Sequence, residues 1–217
     1  MIDLPSPDDL DEARVDPRTQ ESIAAFDRAG EKYHEVWKEH RPLDAVRTFG
    51  ALAGRGAVVL DVACGPALDV RVLRDQGLTV VAGDRSEELM RIGHVLFPKR
   101  PLARWDFRKL PFADGAFDGI WAPAALQHLP RREMRSALGE LRRVHGRGPI
   151  FVSFREGNGD LDLIDEPGVG PVYVTTVTEA ELKTLLLDQR YEQVEVQHRP
   201  DPMGRPDVTW LYGWGRC

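Results

Sequence analysis

The chain has 217 residues, 42% of them hydrophobic, with 29 Lys and Arg against 35 Asp and Glu for a net charge of −6. That is enough apolar material for one well-buried core and short for two domains, so a single domain is expected. An acidic balance offers no global field to a long polyanion, which argues against a nucleic-acid partner, and no apolar run approaches the ~20 residues of a membrane span.

Residues 1–18 hold Pro5, Pro7 and Pro17 among many acids and read as a flexible acidic arm. They do not follow the basic-then-apolar plan of an export signal, so a soluble cytoplasmic protein is expected. Residues 19–217 read as the domain, divided into a helical cap over 19–50 and a core over 55–217. In the cap, Ile23, Phe26, Tyr33, Val36 and Trp37 are spaced to share one face of a helix running from Gln20 to His40. Val58-Val59-Leu60-Asp61 is a buried strand that ends in a carboxylate and a tight turn, Ala63-Cys64-Gly65-Pro66-Ala67. A helix over 67–76 closes at Gly77, and a second apolar run, Leu78 to Ala82, leads to Gly83-Asp84.

Ser86 caps a helix over 87–97 that Pro98 stops. Short strands follow near 102–105 and 117–121. Met134, Leu138 and Leu141 mark a helix over 131–144, and 149–154 is a fifth strand. Thr178 and Glu181 form a capping box for a helix reaching Gln189. The runs 191–197 and 208–214 are joined by a loop too short for a helical crossover, so they pair antiparallel. The expected architecture is α/β: a doubly wound, Rossmann-like sheet of seven strands, the last antiparallel, with helices on both faces.

The first turn speaks against a dinucleotide. Such sites set several glycines where a pyrophosphate approaches backbone N–H groups, whereas here only Gly65 is glycine, Pro66 has no N–H, and Asp61 would repel a phosphate. An adenosine compound carrying cationic groups fits better, since sulfonium and ammonium charges gain from nearby carboxylates. S-adenosylmethionine is such a compound.

From about Tyr33 to the C-terminus the chain resembles the class I S-adenosylmethionine-dependent methyltransferases, in particular small single-domain bacterial members. The resemblance is carried by Leu60-Asp61-Val62-Ala63-Cys64-Gly65-Pro66-Ala67-Leu68-Asp69, by Asp84, by Ala103-Arg104-Trp105-Asp106-Phe107 and by Leu110 to Trp121, in that order and spacing. It implies that Asp61, Ala63 and Gly65 surround the methionine part of the cofactor and that Asp84, followed by Arg85, takes the ribose. It further implies that Asp106 accepts from the adenine amino group, that the Phe107 backbone serves the ring, and that Ala122 and Pro123 pass the amino-acid end. The implied activity is methyl transfer to an oxygen or nitrogen of a small-molecule acceptor, leaving S-adenosylhomocysteine. In relatives a segment like the cap folds over the cofactor, which makes Tyr33 and Arg41 candidates for touching acceptor or cofactor; the competing reading is a helix packed on the sheet edge.

Methyl transfer asks the protein mainly to position the acceptor, and a base is optional. His128 is the candidate base; the competing reading has it hydrogen-bond backbone groups. Arg155 and Glu156 are candidates for holding a zwitterionic or carboxylated acceptor. Asp160, Asp162, Asp165 and Glu166 make the next, Gly-containing loop acidic, suited to a cationic amine or simply solvated. Trp105, Trp121, Trp210 and Trp214 are candidates for an aromatic pocket or for core packing. Cys64 and Cys217 form no CxxC or Cys/His cluster, so no metal is expected, and Cys64 reads as a small buried residue. Two other functions stay open: an RNA or tRNA methyltransferase using Arg131, Arg132, Arg135, Arg142 and Arg143, and a cofactor-binding protein without methyl transfer, permitted by Ala63 and Ala67. Monomer and homodimer are both open.

Overall fold

The computed structural model describes residues 15–98 and 102–217. The expected arm lies outside the described residues as far as residue 14; its last part is the start of a helix. Asp16 accepts a hydrogen bond from the Arg18 amide at 3.0 Å and Pro17 occupies the first turn, so helix α1, Pro17–Trp37, begins there. Gly30 breaks α1 with φ 43 and ψ −114, a conformation that a Cβ would oppose and that brings the backbone onto Glu88. The other helices are α2 (Leu43–Ala53), α3 (Val70–Asp75), α4 (Glu87–Leu96), α5 (Arg131–Val144) and α6 (Glu179–Asp188). The strands are β1 (Val58–Asp61), β2 (Thr79–Asp84), β3 (Leu102–Arg104), β4 (Gly119–Ala122), β5 (Pro149–Arg155), β6 (Asp162–Glu166), β7 (Gly170–Val174), β8 (Glu192–Pro200) and β9 (Thr209–Arg216).

Seven strands form one sheet in the order β3-β2-β1-β4-β5-β9-β8. β1 to β5 run parallel, while β9 is antiparallel to both β5 and β8. The fold is therefore the expected Rossmann-like α/β sheet. The chain leaves β1 in one direction and returns for β4 on its other side, and this switch point opens a crevice beyond the C-terminal ends of β1, β2 and β4.

Side-chain alternation along the strands splits the core into two faces. Leu60, Ile120 and Val152 pack with Leu138 and Leu141 of α5, while Val59, Trp121 and Phe151 pack with Phe49 of α2 and Leu73 of α3. Trp121 stacks on Phe151 with ring centres 4.3 Å apart, anchoring β4 to β5 directly beneath the crevice.

Two expectations are corrected. The first turn extends farther than foreseen and α3 starts only at Val70, because Ala67 takes a left-handed φ of 61 that interrupts any helix through it. The stretch expected as an acidic loop contains the hairpin β6–β7. Its Ile164, Val172 and Val174 bury against Ala25 and Phe26 of α1, so hairpin and helix form a small third core roofing the crevice. Asp162 and Asp165 are exposed on that hairpin and Glu166 is buried at its end. No helix among the described residues is long and apolar enough to cross a membrane.

Candidate functional site

Asp61 ends β1 with its side chain turned into the crevice floor. It is 1% exposed, and neither carboxylate oxygen has a hydrogen-bond partner. Burial, with the neighbouring charges of Asp69 and Asp84, holds its pKa well above the ordinary carboxylate range. A buried carboxylate without donors is costly alone and becomes favourable once a cation stands beside it. The crevice floor is thus built to receive positive charge.

Past Asp61 the chain turns back through Gly65, whose φ is 53 and whose amide donates to Asp84 Oδ2 at 2.9 Å. The Ser86 amide donates to Asp84 Oδ1 at 2.9 Å, so the carboxylate that ends β2 is held by backbone from both strands' turns. Burial still raises its pKa against the pull of those two bonds. Ser86 also caps α4, accepting from the Leu89 amide at 3.1 Å, and donates to Asp27 of α1 at 2.5 Å, which ties the cap to the site. The Cys64 thiol is pushed up by burial and by Asp61 and Asp84, keeping it neutral and unreactive.

Two compartments make up the crevice. One is lined by Asp84, Arg85, Asp106 and Phe107; the other, slightly larger, by Asp61, Asp69, Arg41 and Glu166. They share Phe26, Tyr33, Ala63, Gly65, Ala124 and His128, so they are halves of one groove. Its neck lies at Tyr33, where a methyl group on Gly65 would stand 3.4 Å from the ring. Burial, then Glu166, Asp84 and Asp69, push the Tyr33 hydroxyl above its ordinary range, which places a neutral phenol between the acids of both halves.

The residues expected from the sequence fall out unevenly. Asp61, Ala63, Gly65, Asp84, Arg85, Asp106 and Phe107 line the groove, and Ala122 is buried directly behind Pro123 and Ala124, which line it. Asp106 is engaged: Arg85 and Arg108 donate to its oxygens, and the Arg108 amide adds a bond at 3.0 Å. A carboxylate offers about four lone-pair sites, so Asp106 serves first to fix those two arginines.

Arg41 of the α1–α2 connection donates to the Leu68 carbonyl at 2.6 Å and stands 3.7 Å from Asp69, over the first turn. His128 Nδ1 lies 3.2 Å from the Tyr173 carbonyl, which makes it the protonated nitrogen and leaves Nε2 with a lone pair. Burial lowers the His128 pKa to about 4, so the ring is neutral at pH 7.

Glu156 does not join the site: it is exposed and its partner is His198, 3.1 Å away on β8. Arg155 is buried and pairs instead with Glu166. Of the tryptophans, Trp210 lines the groove, Trp105 donates to the Val62 carbonyl at 2.7 Å behind it, and Trp121 donates to Asp69 at 3.0 Å. Trp214 packs on Phe151. The α5 arginines are engaged as well, Arg131 with Glu181, Arg132 with Asp16, Arg135 with Asp188, Arg142 with the His145 carbonyl and Arg143 with Glu140 and Asp114. They form a lattice of ion pairs instead of a bare basic stripe.

Sequence reasoning missed Asp69, Gln127 and Ser153 as groove residues and named Glu166 only among the acids of a loop. Asp69 was visible as the last residue of the first motif. The others carried no local signal, because a glutamine before a histidine, a strand serine and a loop acid are each commonplace.

A family model described as methyltransferase domain matches residues 60–153. The chain is 32% identical over 182 residues to a demethylmenaquinone methyltransferase of Renibacterium salmoninarum, an alignment covering 81% of this chain and 72% of that protein. It is 32% identical over 137 residues to a malonyl-[acyl-carrier protein] O-methyltransferase of Pseudescherichia vulneris, covering 62% of this chain but only 54% of that protein, about half its length. Among solved structures, the Burkholderia thailandensis 1,6-didemethyltoxoflavin-N1-methyltransferase, with bound 1,6-didemethyltoxoflavin and S-adenosylhomocysteine, superposes with a TM-score of 0.70 at 21% identity, covering 95% of this chain and 92% of that one.

Proposed function

The chain belongs to the class I S-adenosylmethionine-dependent methyltransferases, and from that premise we propose that it methylates an oxygen or nitrogen of a small-molecule acceptor bound in the larger compartment. The observation that carries the reading is Asp61, a buried carboxylate with both oxygens unpartnered on the floor of a groove whose other half presents Asp84. A ligand with positive charge at one end and vicinal hydroxyls at the other satisfies both.

Asp84 would hold the ribose, because its backbone bonds leave lone pairs free toward the groove and fix their direction. Phe107 and Arg85 would flank the adenine. Asp61 would balance the cationic charge, with Arg41 placed to meet the methionine carboxylate. When bound, the cofactor supplies an electrophilic methyl group. The protein's own part is to seat the acceptor, to exclude water under the roof of α1 and β6–β7, and to offer a hydrogen-bond acceptor to the reacting group. The neutral His128 ring has the geometry for that last task, since its Nδ1–H faces Tyr173 and its Nε2 is left for the groove.

Support for a small acceptor comes from the concave groove at the sheet's switch point and from a relative named as a demethylmenaquinone methyltransferase. The paired arginines on α5 give no support to an RNA substrate. Titration calorimetry with S-adenosylmethionine and S-adenosylhomocysteine tests the reading: saturable one-to-one binding of both is expected, and no heat at millimolar cofactor would overturn it.

A further inference from the structure

The larger compartment continues past Asp61 and Asp69 to a wall made by Glu166, Gln127 and Ser153 and to the rings of Trp37, Trp210 and Tyr212. Its polar atoms are oriented by what they already touch. Glu166, 7% exposed, is backed by Arg155, which is itself 7% exposed, pairs with it through Nη2, and lies over the Trp210 ring 5.6 Å from its centre. The groove therefore meets a carboxylate whose charge is balanced from behind.

Gln127 Oε1 accepts from the Arg155 amide at 3.4 Å, which leaves its Nε2 hydrogens to donate. Ser153 Oγ accepts from the Ala124 amide at 2.9 Å, and its own proton is left to give. One acceptor and two donors thus sit between aromatic faces.

That set complements a flat ring carrying an N–H or O–H next to a carbonyl or ring nitrogen. A cationic amine finds no net negative charge at this wall, because Arg155 offsets Glu166 and the acidic Asp162 and Asp165 are exposed on the outside of the hairpin. An anionic acceptor meets Asp61 and Asp69 on the floor of the same compartment, with Arg41 as the lining cation. A long alkyl chain would leave the three polar groups unpaired.

We propose that Glu166, with Gln127 and Ser153, is the recognition edge of the acceptor subsite, and that the acceptor is an uncharged planar ring with an N–H or O–H beside a hydrogen-bond-accepting atom. The inference rests on the methyltransferase reading of the groove and narrows it to a substrate class. Glu166 acts here by binding.

The experiment is a titration of the full chain, saturated with S-adenosylhomocysteine, with lumazine and 2-quinolone as ring probes and with spermidine and decanoate as cationic and alkyl-anion comparators. Both rings should bind roughly tenfold or more tighter than either comparator. Glu166→Gln should weaken ring binding roughly 10- to 100-fold, the worth of one hydrogen bond to a charged group, while S-adenosylhomocysteine affinity stays within about threefold. Because that variant leaves Arg155 buried without its partner, the double variant Arg155→Met with Glu166→Gln is measured beside it and should show the same loss.

Tighter binding of spermidine or decanoate, failure of both rings to bind, or ring affinity within about twofold of the parent in a folded variant would overturn the proposal. Failure of S-adenosylhomocysteine to bind the parent chain would instead overturn the methyltransferase reading, so the two failures are distinct.

Discussion

Replacing Asp61 by asparagine separates the two things its carboxylate does. In the cofactor-free chain the group is 1% exposed with no donor on either oxygen, and burial together with Asp69 and Asp84 raises its pKa well above 3.8. A raised pKa means that the folded chain holds this proton more tightly than the unfolded chain. The stabilisation is complete below the unfolded value near 4 and is lost as pH rises through the folded pKa.

An asparagine side chain cannot ionise, so the Asp61→Asn chain should lack this loss and at pH 8 should be at least as stable as the parent, by up to about 2 kcal/mol. Cofactor binding should move the other way. Removing a charge-assisted interaction of about 1.5–3 kcal/mol should weaken S-adenosylmethionine roughly 10- to 150-fold.

Urea unfolding at pH 5 and pH 8 reads the first effect and calorimetry the second. Calorimetry of the parent in buffers of different ionisation enthalpy, repeated across pH, should also show a window of proton release on cofactor binding, because the arriving cation lowers the carboxyl's raised pKa; the variant should lack that window. A variant that binds cofactor within about twofold of the parent, or that is less stable than the parent at pH 8, would refute the reasoning.

His128, with its pKa lowered to about 4, is uncharged throughout pH 5.5–8, so kcat/KM should show no inflection near 6.5 that disappears in His128→Asn; a pH–rate profile with such an inflection would contradict the assigned state. Ser86→Ala removes the α4 cap and the link to Asp27 and should cost about 1–2 kcal/mol, lowering the melting temperature by a few degrees in a thermal scan. Trp121→Ala empties the contact between Phe49 and Phe151 and strips Asp69 of its donor; a loss of about 3–5 kcal/mol is expected in urea unfolding.

Much of the sheet was legible because its signals are local. A strand buried on both faces must be a short apolar run, and β1 and β2 each end at an aspartate where the run stops. Ser86 and Thr178 announced α4 and α6 because a cap is satisfied within three residues, by Leu89 and Glu181. The hairpin β6–β7 escaped notice because Asp162, Asp165 and Glu166 weigh against a strand by composition, and its apolar face gains meaning only against Ala25 and Phe26, far away in the chain. At Ala67 the letters pointed away from the geometry: the backbone adopts the left-handed turn with an alanine, as neighbouring contacts outweigh the ~1–2 kcal/mol cost of that conformation.

Sequence by itself determined the strand-forming runs and the two strand-end aspartates, since each follows from a periodicity or from the chemistry of a few adjacent residues. Tertiary structure alone decided which distant charges meet. It paired Arg155 with Glu166 and left Glu156 outside, occupied Asp106 with arginines, and left Asp61 without a donor. Partnership between side chains depends on direction and burial across elements that the order of the letters does not encode.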